Sequence, residues 1–134
     1  MVGTWSYEPF GNDAAADWAF ELDDADSWQI VADLLTTYLS ATGANEEADQ
    51  LAVAAAEVIA HGLARQTQDD AYTEPVGEYV ERLGPPSEAL VSLGIEAIDK
   101  VAAHSALSAA WRETDDDQEW RDSLERLRGA LASA

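Results

Sequence analysis

The sequence predicts an all-α protein: a single compact bundle of five to six helices, formed by residues 1–134 as one domain, with an N-terminal aromatic segment packed on the first helix. Two observations favour this fold. Apolar residues recur at three- and four-residue spacing along almost the whole chain, and no segment alternates convincingly like a strand. A chain of 134 residues with 47% apolar residues also has the size and composition for a well-buried core.

The first half of the chain divides into three predicted helices. Asn12 or Asp13 caps the first helix, and Asn45 caps the third, because such side chains accept hydrogen bonds from free amides at a helix start. The third helix has an alanine-rich middle, which allows a close approach by a neighbouring helix. Gly62 within it indicates either tight packing or fraying beyond that point.

The second half begins with a helix whose first turn suits Pro75 and which Gly84 ends. Ser87 caps the next helix, which either continues to Trp111 or breaks near His104. A last helix follows the acidic stretch TDDD. Its apolar positions form a regular stripe that predicts a buried face: Trp120, Leu124, Leu127 and Leu131.

The charge balance argues against two classes of partner. The chain has 27 acidic and 7 basic residues, a formal net charge of −20, and residues 1–64 contain no Lys or Arg. Such a surface repels nucleic-acid backbones and anionic membranes, so we expect neither as a partner. It attracts a basic protein or a metal cation, although solubility or adaptation to a salty cytosol explains the same charge.

The compartment is predicted from what the sequence lacks. No run approaches the ~18 uncharged apolar residues that a membrane helix needs, and no secretory signal is recognisable. The chain has no cysteine, which excludes disulfides and thiolate chemistry. We therefore expect a cytoplasmic protein.

The stretch GTWSYEPFGNDAAADW, residues 3–18, concentrates aromatic rings and turn-forming residues near the N-terminus. It resembles the opening signature of the bacterial family catalogued as domain of unknown function 4259. The matching positions are Gly3, Thr4, Trp5, Pro9, Phe10, Asn12, Asp13, Ala16, Asp17 and Trp18. Ser6 and Gly11 depart from the pattern. The resemblance implies a mostly helical bacterial protein and supplies no activity.

This family motif has two interpretations. As a structural latch, Trp5 and Phe10 fold back over Trp18 and tie the first ten residues to the first helix, since each ring can bury ~150–250 Å². As a binding surface, an exposed Trp–Phe patch beside Asp13 and Asp17 docks a partner protein, because aromatic residues are favoured at interface centres.

Few side chains are arranged for chemistry. Asp13, Asp17 and Glu21 can line one side of the first helix and hold a hard cation or act as acid and base, but this spacing is common on solvated faces. Glu57 and His61 lie four apart on the third helix, where an ordinary surface or helix-end histidine is the favoured interpretation. Because nucleophile, phosphate-loop and calcium-loop motifs are missing, we expect no catalytic residue, no metal and no cofactor.

Two functional hypotheses follow. The favoured one is a non-catalytic protein-interaction module, of which an inhibitor or immunity-type protein is one version, with an acidic, aromatic-anchored surface for a partner of basic character. The alternative is a small-ligand or divalent-metal-binding protein, or a hydrolase, that uses a carboxylate-lined pocket near Asp13 and Asp17.

Overall fold

Seven α-helices follow one another along residues 3–133, the part of the chain that the computed structural model describes. They are α1 Asp13–Glu21, α2 Gln29–Ser40, α3 Glu46–Gly62, α4 Glu74–Leu83, α5 Glu88–Ala103, α6 Ala106–Arg112 and α7 Asp117–Ala132. Short 3₁₀ helices follow α1 at Leu22–Asp24 and precede α4 at Ala71–Thr73. None of these seven helices is both long and apolar enough to cross a membrane. The succession of seven helices confirms the all-α class.

Helix α3 lies at the centre of the fold and contacts all six other helices. Each residue from 52 to 61 is buried. Small side chains make this possible, because they keep neighbouring backbones close to the helix axis. The buried small residues are Ala52, Ala54, Ala55, Ala56 and Ala60.

Several local expectations are confirmed. The side chains of Asn12, Asn45 and Ser87 cap α1, α3 and α5, each accepting a hydrogen bond from the amide three residues later. Pro75 stands in the first turn of α4, and Gly84 ends that helix with a positive φ of 78°. The apolar stripe of α7 is buried as predicted, at Trp120, Leu124, Leu127 and Leu131.

The expected count of five to six helices is too low for the described residues, and one reason is the junction at residues 104–105. His104 is extended, with φ −149° and ψ 99°, so α5 ends there. The Ser105 side chain then caps α6 by accepting a hydrogen bond from the Ser108 amide at 2.9 Å. The helix therefore ends at this point, and a separate helix, α6, leads to Trp111.

Gly62 marks a close approach, and it is also the last residue of α3, so the helix does not continue beyond it. A Cβ atom at this position would lie 2.8 Å from the ring of Trp28 and 2.9 Å from Cδ of Pro86. The Trp28 ring cannot move away freely, because its Nε1 donates to Gly84 O at 3.3 Å and the ring packs against Tyr79 in a T-shaped arrangement, with centroids 5.4 Å apart. The absence of a side chain at Gly62 therefore allows α2, α3 and the α4–α5 connection to meet.

We expect Gly62→Ala to lower the free energy of unfolding by about 1–3 kcal/mol, because the added methyl group overpacks this contact. Gly129→Ala is the matched control. Gly129 lies within α7, and a Cβ there meets nothing within 4 Å, so the change should stabilise by up to about 1 kcal/mol through helix propensity. Urea unfolding of both variants tests this, and equal shifts in the two variants would contradict the close packing at Gly62.

Candidate functional site

The family motif forms a closed loop that returns to the start of α1. Thr4 and Asn12 make an isolated antiparallel bridge. The Asp13 amide donates to Gly3 O at 2.7 Å, which fastens the beginning of the loop to the first residue of the helix. Gly3 has a φ of 76°, a backbone conformation that favours glycine. These motif residues therefore have a shared local structural role.

Gly11 closes the inside of this loop. Its carbonyl accepts hydrogen bonds from the amides of Trp5 and Ser6 at 2.9 and 3.0 Å. A Cβ at Gly11 would collide with the Ser6 side chain and lie 2.8 Å from Ser6 O. Gly11, which departs from the family pattern, is thus required for steric reasons in this chain.

The loop turns one aromatic ring inward and another outward. Phe10 is fully buried, and Pro9 and Trp18 are also buried. Trp5 is 47% exposed and packs against Tyr72 in a tilted arrangement, with ring centroids 5.5 Å apart at an angle of 41°. The latch interpretation is therefore not confirmed for Trp5, whose ring lies against the segment that precedes α4.

Buried polar groups hold this loop to the rest of the fold. The Phe10 amide donates to Gln68 Oε1 at 2.8 Å, and Gln50 Nε2 donates to Thr4 Oγ1 at 2.9 Å. Gln50 and Gln68 are both buried, and they come from α3 and from the connection between α3 and α4. Long-range hydrogen bonds therefore position the motif.

The connection that carries Gln68 is itself bound by Glu57, a fully buried carboxylate on α3. Glu57 accepts hydrogen bonds from the Thr67 amide at 2.9 Å, the Thr67 hydroxyl at 2.5 Å and the Gln68 amide at 3.0 Å. His61 Nε2 lies 3.3 Å from the same carboxylate and 3.0 Å from Gln68 O. His61 is at the end of its helix, as expected, but it is buried and not a surface histidine.

Three exposed rings form what we call the aromatic surface: Trp5, Phe20 and Tyr72. Phe20 and Tyr72 are 64% and 52% exposed, and they line one groove of about 340 Å³. Trp5 extends the surface through its contact with Tyr72. The charged residues of the groove are all acidic: Asp23, Glu74 and Glu78.

Sequence reasoning missed two of these rings. In the sequence, the one signal for the exposure of Phe20 was its position off the apolar face of α1. Tyr72 stands in the most polar connection of the chain, and its neighbour Trp5 is distant in sequence. Only the folded chain brings Trp5 and Tyr72 together.

The carboxylates that the sequence singled out line a different groove. Asp13 and Asp17 are exposed and face Glu46 and Glu47 of α3 across an opening of about 560 Å³. Among residues 3–133, no group of three or more His, Asp or Glu side chains is arranged to hold a metal ion. Glu21 does not line this groove.

A second buried carboxylate, Asp49, joins α3 to α2 and α6. It accepts hydrogen bonds from the Tyr38 hydroxyl at 2.7 Å and the Leu107 amide at 3.1 Å. Lys100 Nζ caps α2 by donating to the carbonyls of Tyr38 and Ala41 at 2.6 and 2.8 Å. Burial raises the pKa of Asp49 despite the opposing effects of these hydrogen bonds and of the Lys100 charge. Burial likewise raises the pKa of the Tyr38 hydroxyl.

Comparison with known proteins identifies a family. The family described as Domain of unknown function (DUF4259) matches residues 3–123, nearly the whole chain, so the chain belongs to this family. No curated protein and no solved structure matches it.

We expect Glu57→Gln to lower the free energy of unfolding by about 2–4 kcal/mol. The amide keeps one acceptor oxygen and turns an NH₂ group toward the donors of Thr67, Gln68 or His61, which leaves buried groups unpaired. Glu96→Gln, at an exposed position on α5, is the control and should change stability by less than about 0.5 kcal/mol. Urea unfolding of both variants measures the difference, and similar values would show that the Glu57 network contributes little.

Trp5→Ala should cost only about 0.5–1.5 kcal/mol, because the ring is half-exposed and its main contact is the tilted packing on Tyr72. Phe10→Ala, in the same loop, removes a fully buried ring and should cost about 3–5 kcal/mol. Chemical denaturation compares the two variants. A larger loss for Trp5→Ala than for Phe10→Ala would contradict the arrangement of the loop.

Proposed function

We propose that this protein is a non-catalytic interaction module that binds a basic partner protein through the aromatic surface of Trp5, Phe20 and Tyr72. The observation that carries the proposal is the combination of exposure and charge at this one place. Three large rings stand 47–64% exposed. The groove between Phe20 and Tyr72 presents three carboxylates and no cation.

The rings supply the apolar part of such an interface. Large exposed aromatic side chains are the residues that most often become binding hot spots, because they bury much area at a small entropic cost. Trp5 and Tyr72 already contact each other, so less freedom is lost when a partner covers them. Phe20 makes the largest addition to buried area, because it is the most exposed of the three.

The carboxylates define the kind of partner. Asp23, Glu74 and Glu78 surround the rings in the groove, and residues 1–64 of the chain contain no Lys or Arg. An Arg or Lys side chain of the partner can place its apolar stem or cation against a ring while its charge meets these acids. The net charge of −20 further accelerates the approach of a basic protein. An inhibitor or immunity-type role is one form of this function.

The alternative, a small-ligand or divalent-cation site near Asp13 and Asp17, rests on the acidic groove that these residues share with Glu46 and Glu47. This groove has the volume for a ligand, but its charged groups are all carboxylates, without a group of three arranged for a metal within residues 3–133. The aromatic surface combines apolar contact with charge, so it supports a specific function better.

Photo-crosslinking followed by a binding measurement tests the proposal. Two variants are expressed in the native host, one with a benzophenone amino acid at position 20 and one with it at position 7. The proteins that crosslink to each variant are identified by mass spectrometry. Tyr7 is the matched control, because it is an exposed aromatic residue that does not line the groove. We expect a basic protein to be crosslinked from position 20 and not from position 7.

The captured protein is then purified and titrated by calorimetry at low and moderate salt. Phe20→Ser should weaken its binding at least tenfold, Tyr7→Ser should change it by less than threefold, and affinity should fall as salt rises. If the two variants bind equally well, or if position 20 captures no protein, the aromatic surface is not the interface.

A further inference from the structure

Three basic side chains gather at one cavity of this acidic protein. The cavity, about 350 Å³, lies between the α2–α3 connection, the end of α5 and the helix α6. Lys100, His104 and Arg112 line it, and Asp49 is the one acidic residue among its lining side chains. The whole chain has only 7 Lys and Arg against 27 acids, so two Lys or Arg side chains beside a single carboxylate run against its overall charge balance.

Arg112 is the side chain available to a ligand. It is exposed at the end of α6, and among residues 3–133 its guanidinium has neither an ion pair nor a hydrogen bond. Other arginines are engaged, such as Arg82 with two carbonyls and Arg128 with Asp99. A free guanidinium presents parallel N–H donors whose geometry matches a carboxylate or phosphate group.

Lys100 supplies a second charge in a fixed position. Its ammonium group donates to two carbonyls of α2 and lies 4.4 Å from the centroid of the Tyr38 ring. An ammonium has three donors, so one N–H remains for another acceptor. Because these contacts already hold the side chain, binding an anion does not require Lys100 to be ordered first.

Asp49 interacts electrostatically with Lys100, but no ion pair joins the two among residues 3–133. Its two oxygens accept hydrogen bonds from the Tyr38 hydroxyl and from the Leu107 amide, and it is 1% exposed. The remaining carboxylates of the protein act from outside the cavity, where salt reduces their effect over a Debye length of about 8 Å at physiological ionic strength. Among the lining side chains themselves, the two cationic groups of Lys100 and Arg112 outnumber the one carboxylate.

We propose that this cavity binds a small oxyanion, the carboxylate or phosphate group of a small molecule, with Arg112 as the principal ligand-binding residue and Lys100 and His104 beside it. The volume lies in the range of small-molecule sites, about 300–1,000 Å³. The inference is independent of the aromatic surface, because none of the three residues of that surface lines this cavity.

Titration with two defined anions tests the site. Inorganic phosphate and citrate are each titrated into the full chain at constant ionic strength, with sodium chloride as balance, and amide chemical shifts are recorded by NMR. We expect saturable shifts centred on residues 100–112 with at least one of the two anions. Saturation by phosphate alone or by citrate alone identifies which oxyanion source the cavity accepts.

Arg112→Gln and Arg126→Gln form the matched pair. Both arginines are exposed and without an ion pair among the described residues, but Arg126 lies on α7 and outside the cavity. Arg112→Gln should raise the apparent Kd at least tenfold, whereas Arg126→Gln should leave it within twofold. Lys100 is not the first residue to replace, since its loss also frees the carbonyls at the end of α2.

Absence of saturable shifts with both anions would overturn the proposal. So would equal weakening by the two arginine variants, because binding would then follow overall charge and not this cavity.

Discussion

A carboxylate that leaves water must be met by hydrogen-bond donors, and the central helix α3 carries two such groups, Asp49 and Glu57. Each is satisfied by a distant part of the chain. Asp49 receives the Leu107 amide at the start of α6, and Glu57 receives the amides of residues 67–68. Leaving either group unpaired costs more than most single contacts gain, so these two residues help to fix the first turn of α6 and the α3–α4 connection in place.

The Glu57 network extends from the interior to the surface. The connection that Glu57 binds also carries Gln68, whose side chain holds the Phe10 amide, and it leads to Tyr72, against which Trp5 packs. The hydrogen bonds of a buried carboxyl group therefore help to position the aromatic rings of the N-terminal loop. The acidic residues of the surface then give those rings an electrostatic surrounding that suits a basic partner. The hydrogen bonds that satisfy Glu57 in the interior thus also help to position the aromatic surface.

The features that the sequence predicted correctly are those encoded over a few residues. A cap such as Asn45 and the stripe of α7 depend on spacing within one helix, and both are found. The sequence left the position of Trp5 open between two interpretations, because the loop that carries it is held by Gln68, far along the chain. The exposure of Tyr72 likewise depends on how the helices pack, and so does the position of Lys100 and Arg112 at the same cavity. A local sequence pattern does not contain this information.

The span of the contact between Phe10 and Gln68 has a consequence for synthesis on the ribosome. The two residues are 58 positions apart. At about 5–20 residues per second, the ribosome needs on the order of 3–12 s to add the second after the first. Throughout that interval the nascent N-terminal loop lacks its anchor, and the ring of Phe10 has no completed core to enter. The buried position of Phe10 in the folded protein therefore depends on a hydrogen-bond partner that is made well after it.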